Sequence, residues 1–70
     1  MKKKLISKLK EYRTSQGISQ QTLADLVDVR RETIIRLERG EYNPSLQLAM
    51  DLSKVLMVPI EELFQFEDPE

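Results

Sequence analysis

Residues 18–40 read ISQQTLADLVDVRRETIIRLERG, and this stretch predicts two short helices joined by a tight turn. Ser19 is suited to cap the first helix, because its hydroxyl can accept a hydrogen bond from a backbone amide two or three residues later. Val29 is expected to pack between the two helices at the turn. The second helix should run over residues 31–39 before Gly40 ends it. Apolar side chains recur at helical spacing in both segments. The side chains expected to face inward are Leu23, Ala24, Val27, Ile34 and Leu37.

The same periodicity predicts three further helices, so the expected fold class is all-α. A first helix is expected over residues 4–16, with Gly17 as its left-handed stop. A fourth helix follows its cap Ser45 and runs to Leu56. Pro59 opens a short fifth helix, since proline at the first position loses no helical hydrogen bond. The side chains expected to face inward are Leu5, Leu9, Tyr12, Leu46, Ala49, Leu52, Leu56, Ile60, Leu63 and Phe64.

The C-terminal tail has a different pattern. Residues 64–67 alternate apolar and polar side chains, which is typical of a short edge strand. Phe66 belongs either to such a strand, paired with residues 1–4, or to an interface with another chain. The expected fold is therefore five helices, with room for a short two-stranded ribbon formed by the termini.

The composition excludes several classes of function. A chain of 70 residues makes one domain, here residues 1–70, with a small core. It contains no Cys and no His, so it lacks disulfides, thiolate nucleophiles and the imidazole used by most zinc sites and general-base mechanisms. It also shows no phosphate-binding loop and no nucleophile beside a base. We therefore expect no enzyme, no metal and no cofactor.

The charge is unevenly distributed along the chain. The net charge is −1, which by itself argues against a nucleic-acid partner. However, residues 1–40 hold ten of the eleven Lys and Arg against five acids, while residues 41–70 hold one Lys against seven acids. This asymmetry indicates one basic face and one acidic end, although charged helix surfaces are often merely solvated.

The N-terminus has the positive start of an export signal at residues 2–4. Ser7, Lys8, Lys10 and Glu11 then interrupt the apolar segment that such a signal needs. We therefore expect a cytoplasmic protein without a membrane span.

Two short helices joined by a tight turn form the unit that presents its second helix to the DNA major groove. Residues 18–40 resemble this unit in the phage Cro/CI family, also called the XRE family, and the C-terminal residues are similar to very short bacterial regulators made of this domain alone. The resemblance implies five helices with the third in the groove, in a sequence-specific transcriptional regulator. We expect it to bind a palindromic operator on double-stranded DNA as a homodimer and to act as a repressor, with activation through a surface acid as the alternative. The resemblance covers about residues 9–64, including the segments 9–13, 42–46 and 59–64.

The third predicted helix carries side chains that can read base pairs. An Arg can donate two parallel hydrogen bonds to guanine, a Glu can accept one from cytosine, and a Thr can touch a thymine methyl group. The resemblance assigns base contacts to Arg31, Glu32 and Arg36. The alternative is a solvated helix with a Glu32–Arg36 ion pair, which contributes only about 0.2–0.5 kcal/mol. The side chains that project away from the expected core are Arg31, Glu32, Thr33 and Arg36.

Phosphate contacts are expected around this helix. Gln20 stands at the start of the second helix, where free amides favour an anion, and the resemblance assigns it a phosphate contact. Four residues flank the third helix and are either further phosphate contacts or merely exposed, namely Arg30, Arg39, Tyr42 and Asn43.

The resemblance also pairs Arg13 with Glu38 in a partly buried ion pair of structural role. The chain departs from the family pattern where many relatives have glycine, at Asp28 and Met57. Asp tolerates a left-handed turn, whereas the sequence offers no reason for the methionine. Arg30 is a poor helix cap, so either Asp28 supplies the capping oxygen or stability is given up for a phosphate contact.

One recognition helix reads only a few base pairs, so two copies are expected to bind half-sites about 34 Å apart. The rival function is a protein-binding module, such as an antitoxin-like partner whose acidic half docks another protein. No ligand pocket is evident, which leaves room for a separate regulatory protein. The apolar candidates for the dimer interface are Met50, Met57, Phe64 and Phe66, although both Phe rings can instead complete the core.

Overall fold

Five helices and a two-stranded antiparallel sheet make up the computed structural model, which describes residues 3–68. The predicted fold, five helices with a ribbon formed by the termini, is confirmed. In chain order the elements are β1 (Lys4–Ser7), α1 (Leu9–Ser15), α2 (Gln20–Leu26), α3 (Arg31–Glu38), α4 (Leu46–Leu56), α5 (Ile60–Leu63) and β2 (Phe64–Glu67).

Both strands and all five helices contribute side chains to one buried cluster. Burial of each such Leu or Ile side chain stabilises the fold by roughly 1.5–3 kcal/mol. One inward-facing prediction is wrong, because Leu46 is 74% exposed at the first residue of α4. Leu48 is buried instead, since two residues turn a helix by about 200°. The side chains with the least exposure are Leu9, Leu23, Ile34, Leu37, Leu52, Leu56 and Leu63.

The predicted start of the first helix is wrong. Residues 4–7 form β1, which pairs antiparallel with β2 so that Leu5 lies opposite Phe66. Leu5 is buried in this strand, which is why its spacing from Leu9 also fitted a helical stripe. The backbone N–H of Lys8 donates to the carbonyl of Leu63 at 2.8 Å and fixes the junction between β1 and α1. The predicted ribbon partner, residues 1–4, lies partly outside the described residues, and within them the pairing is shifted to residues 4–7.

Four helices end on a residue in the left-handed conformation, with φ between 58° and 72°. At each end, the following residue donates its N–H to the carbonyl five positions back, which is the Schellman motif. Asp28 adopts this conformation, which Asp tolerates better than most residues. Met57 has the same conformation, which explains why glycine is frequent there in the family pattern. The four residues are Gly17, Asp28, Gly40 and Met57.

Within residues 3–68, no helix has the length and apolar character needed to cross a membrane. The same part of the chain contains no cluster of three or more His, Cys, Asp or Glu side chains arranged to hold a metal ion.

Candidate nucleic-acid interface

Helix α3 presents a polar and basic face to the surface. Ile34 and Leu37 are fully buried, so they hold the opposite side of the helix against the core. The turn before α3 is fixed by Val29, which is half-buried against the core and donates its N–H to the carbonyl of Ala24 at 3.0 Å. The exposed side chains on the outer face are Arg31, Glu32 and Arg36. Thr33, which was predicted for the same face, is half-buried because it lies about one turn before Leu37.

A buried ion pair ties α1 to the end of α3. The guanidinium of Arg13 donates to both carboxylate oxygens of Glu38, through Nε and through Nη2. Its Nη1 donates to the carbonyl of Ile18 at 2.8 Å. The position and tilt of α3 are therefore set partly by electrostatics and not by apolar packing alone.

Gln20 extends this network to the surface. Its Nε2 donates to Oε1 of Glu38 at 3.0 Å, and its Oε1 accepts from Nε and Nη2 of Arg31 at 3.4 and 3.3 Å. The side chain predicted to clamp phosphate thus also links the buried carboxylate to the first arginine of α3. Nothing in the sequence points to this link, because Gln20 and Arg31 are eleven positions apart and only the packing of α2 on α3 brings them together.

The guanidinium carbon of Arg36 lies 5.7 Å from the ring centroid of Tyr42. This distance is within the range of a cation–π interaction. The Glu32–Arg36 ion pair considered from the sequence is not formed. The salt bridges among residues 3–68 join Arg13 to Glu38 and, at the exposed ends of the ribbon, Lys3 to Asp68.

Three more polar residues surround α3. Arg30 is its N-cap and Arg39 its C-cap, while Asn43 lies in the following loop, and all three are exposed. The N-cap of α3 has no side-chain hydrogen bond, so the alternative in which Asp28 supplies the capping oxygen is wrong. By contrast, Ser19 and Ser45 cap α2 and α4 as predicted.

The predicted interface residues are divided between core and surface. Phe64 is only 8% exposed and packs in the core, so its ring completes the monomer. Met50, Met57 and Phe66 are exposed. Phe66 also borders an apolar groove of about 300 Å³, together with Leu46, Ala49 and Ile60.

Helices α2 and α3, joined by a tight turn, form a helix-turn-helix unit, the arrangement that presents the polar side of its second helix to the DNA major groove. The model of the helix-turn-helix family HTH_3 matches residues 9–63. The chain belongs to this family, which is the Cro/CI or XRE type that the sequence resembles.

Relatives and solved structures agree with this class. The chain is 48% identical over 64 residues to an HTH-type transcriptional regulator of Archaeoglobus fulgidus, covering 91% of each chain. It is 39% identical over 62 residues to the HTH-type regulator YgzD of Bacillus subtilis, covering 89% of this chain and 94% of that one.

Among solved structures, the restriction-modification controller protein C.AhdI from Aeromonas hydrophila superposes with a TM-score of 0.72 at 41% identity. This match covers 80% of the present chain and 85% of C.AhdI. SinR in the SinR/SinI complex superposes with a TM-score of 0.70 at 33% identity, covering 77% of this chain and 53% of that one.

Proposed function

We propose that this protein is a transcriptional repressor that binds a palindromic DNA operator as a homodimer. The observation that supports this most directly is the outer face of α3, where Arg31, Glu32 and Arg36 are exposed while Ile34 and Leu37 on the other side of the helix are fully buried. A helix held in this way can enter the major groove without disturbing the core.

We assign base reading to four side chains of α3. Arg31 and Arg36 can each donate two parallel hydrogen bonds to guanine, which is the most common specific contact in the major groove. Glu32 is exposed in the first turn and can accept from the amino group of cytosine. Thr33 is half-buried, so its methyl group can contact a thymine only if that base lies close to the surface of α3.

We assign phosphate contacts to the residues around α3. Arg30 and Arg39 supply positive charge at its two ends, and Asn43 and the hydroxyl of Tyr42 supply uncharged donors in the next loop. The Nε2 group of Gln20 carries two hydrogens, of which one goes to Glu38, so the other can donate to phosphate. These contacts fix the position of the protein on DNA but do not read its sequence.

The homodimer follows from the size of the recognition surface. One helix of eight residues covers too few base pairs to select a site in a genome, and a two-fold dimer doubles the number read. We propose that the second copy covers the groove lined by Leu46 and Phe66, together with Met50, which is exposed one turn after Leu46 on α4. Leu46 and Phe66 are both largely exposed where they line the groove, which suits a self-complementary two-fold contact. Met57 lies about 16 Å along α4 from Leu46 and is left out of this surface.

Repression follows if the bound dimer excludes RNA polymerase from a promoter. The protein then acts in the cytoplasm without catalysis, and its control comes from its abundance or from a separate regulatory protein. The rival function, a protein-binding module on the same fold, predicts no preference among DNA sequences.

Selection of binding sites from random DNA by the purified protein tests the proposal. We expect a palindrome whose half-site centres lie about 10 base pairs, or one helical turn, apart. Arg31→Ala and Arg36→Ala should each relax the preference at one position per half-site, at a cost of about 1–3 kcal/mol. Lys54→Ala is the matched control, because it removes one exposed positive charge from α4 and should leave the selected sequence unchanged.

Two results would contradict the proposal. The first is equal binding of selected and random duplex at every salt concentration. The second is a set of backbone amide resonances in residues 31–36 that does not respond to the selected duplex at low ionic strength.

A further inference from the structure

The end of α3 returns the chain toward the face that we assign to DNA. Gly40 is left-handed, with φ at 72°, and its N–H donates to the carbonyl of Leu37 at 3.1 Å. The N–H of Glu41 donates to the carbonyl of Arg36 at 3.0 Å. Tyr42 directly follows Glu41, so this hydrogen bond holds the backbone next to Tyr42 close to the backbone of Arg36.

This anchoring sets the ring of Tyr42 beneath the guanidinium of Arg36, at 5.7 Å from its carbon to the ring centroid. Arg36 is exposed, and Glu32, one turn before it on the same face, does not pair with it in the described part of the chain. Tyr42 is 38% exposed and borders a cleft that Thr33 and Leu48 also line. The ring is thus the contact that restricts a long side chain which would otherwise sample many rotamers.

We propose that Tyr42 is a positioning residue that determines sequence specificity, because its ring holds the guanidinium of Arg36 in the orientation that reads one base pair. This inference rests on the proposed function, since it requires that Arg36 contacts a base. It assigns the role to the face of the ring, whereas the phosphate contact proposed above uses the hydroxyl. The two roles can be separated by experiment.

The test compares six proteins on the selected operator and on operators altered at single positions. They are the wild type, Tyr42→Phe, Tyr42→Leu, Tyr42→Met, Arg36→Ala and the double variant Arg36→Ala/Tyr42→Leu. The position read by Arg36 is the one at which Arg36→Ala abolishes discrimination. Tyr42→Leu and Tyr42→Met should reduce discrimination at that position by about 2- to 5-fold per half-site and leave the other positions unchanged.

Tyr42→Phe keeps the ring and should retain discrimination at every position. If the hydroxyl also contacts phosphate, Tyr42→Phe weakens binding to all sequences equally. In the Arg36→Ala background, Tyr42→Leu should cause no further loss of discrimination at the Arg36 position, because the two residues act as a unit.

A measurement without DNA checks the contact directly. The δ protons of Arg36 should be shifted upfield by the ring current in the wild type and in Tyr42→Phe, and this shift should disappear in the two non-aromatic variants. Thermal unfolding of each variant separates this effect from loss of the fold.

The inference is overturned if Tyr42→Leu and Tyr42→Met fold and keep full discrimination at the Arg36 position, or if they lose it equally at all positions. It is also overturned if the wild type shows no upfield shift of the Arg36 δ protons, a result that does not depend on any variant. A wild type that selects a palindrome and yet gives these results keeps its proposed function. If the wild type selects no sequence, both the proposed function and this inference are wrong.

Discussion

Arg13 on α1 and Glu38 at the end of α3 form an ion pair whose side chains are only 9% and 5% exposed. Every oxygen of the carboxylate is satisfied, since Oε2 accepts from Nε of Arg13 while Oε1 accepts from Nη2 of Arg13 and from Gln20. An ion pair that is buried this deeply contributes less to net stability than its Coulomb attraction suggests, because both charges lose their hydration when the protein folds. Removal of one partner is nevertheless costly, since the other charge then stays buried without compensation.

Glu38→Ala should therefore lower the free energy of unfolding by about 3–5 kcal/mol, a large part of what a domain of this size has. Glu41→Ala is the control, because Glu41 is an exposed glutamate three residues away and its loss should change stability by no more than about 0.5 kcal/mol. Urea unfolding followed by circular dichroism measures both. Equal midpoints for the two variants would show that the pair has no such role.

Gly40→Ala should be much more destabilising than Gly17→Ala. The two glycines have nearly the same φ, 72° and 71°, so the conformational cost of a side chain, about 1–2 kcal/mol, is shared. They differ in their surroundings, because a Cβ at Gly40 would lie 2.9 Å from the carbonyl oxygen of Leu5, while a Cβ at Gly17 meets nothing within 4 Å. The oxygen belongs to the backbone of β1 and cannot rotate away.

We expect this clash to add about 1–3 kcal/mol to the cost of Gly40→Ala. Thermal unfolding of both variants gives the difference. If the two melting temperatures fall by the same amount, β1 moves aside easily, and the close approach of Gly40 to the carbonyl of Leu5 does not affect stability.

Met57→Gly should stabilise the protein by about 0.5–1 kcal/mol. Met57 is left-handed at the end of α4, so glycine relieves a conformational cost that exceeds its own entropic penalty. The side chain is 89% exposed and contributes little burial. Lys54→Gly is the control on the same helix, and it should instead cost about 1 kcal/mol, because Lys54 is exposed within the helix and lies outside the proposed dimer surface. Changes of the same sign in both melting temperatures would refute this account.

Arg30→Ser should raise stability by about 1 kcal/mol and weaken DNA binding. The backbone of Arg30 has φ −77° and ψ 152°, close to the values at the caps Ser19 and Ser45. A serine hydroxyl can therefore cap α3 without any change in the backbone. The lost charge should reduce the dependence of binding on salt by about one phosphate contact.

Arg30→Ala separates the two effects, because it removes the charge without supplying a cap. It should weaken DNA binding as much as Arg30→Ser does but gain no stability. Unchanged affinity in both variants at low salt would remove the functional explanation for arginine at this position.

Local patterns predicted most of the helices. The hydroxyls of Ser19 and Ser45 accept from the amides of Thr22 and Leu48, as expected of caps that satisfy free amides within one turn. The left-handed stops at Gly17 and Gly40 were also found from residue type alone. Each of these features depends on atoms within a few residues of one another, so the sequence contains the whole interaction. Helical spacing also predicted the exposure of Arg31, Glu32 and Arg36, but Thr33 is half-buried, because it lies about one turn before Leu37 on nearly the same side of the helix.

Features that join distant residues could not be found in this way. The spacing of Leu5 from Leu9 fits a helix as well as a strand, and pairing with Phe66 at the other end of the chain decides for the strand. The contacts of Gln20 with Glu38 and Arg31 depend on how α2 packs against α3.

The amino-acid sequence by itself determined the helices other than the start of α1, the serine caps, the glycine stops, most of the apolar stripe that forms the core, and the family to which the chain belongs. Only the tertiary structure decided that the N-terminal residues form a strand, that Gly40 must leave room for a carbonyl of β1, and that Tyr42 lies under Arg36. The physical reason is the distance along the chain between the residues that interact. Hydrogen bonds and steric preferences within one helical turn are encoded by neighbouring residues, whereas contacts between distant segments exist only after burial of the shared core has brought those segments together.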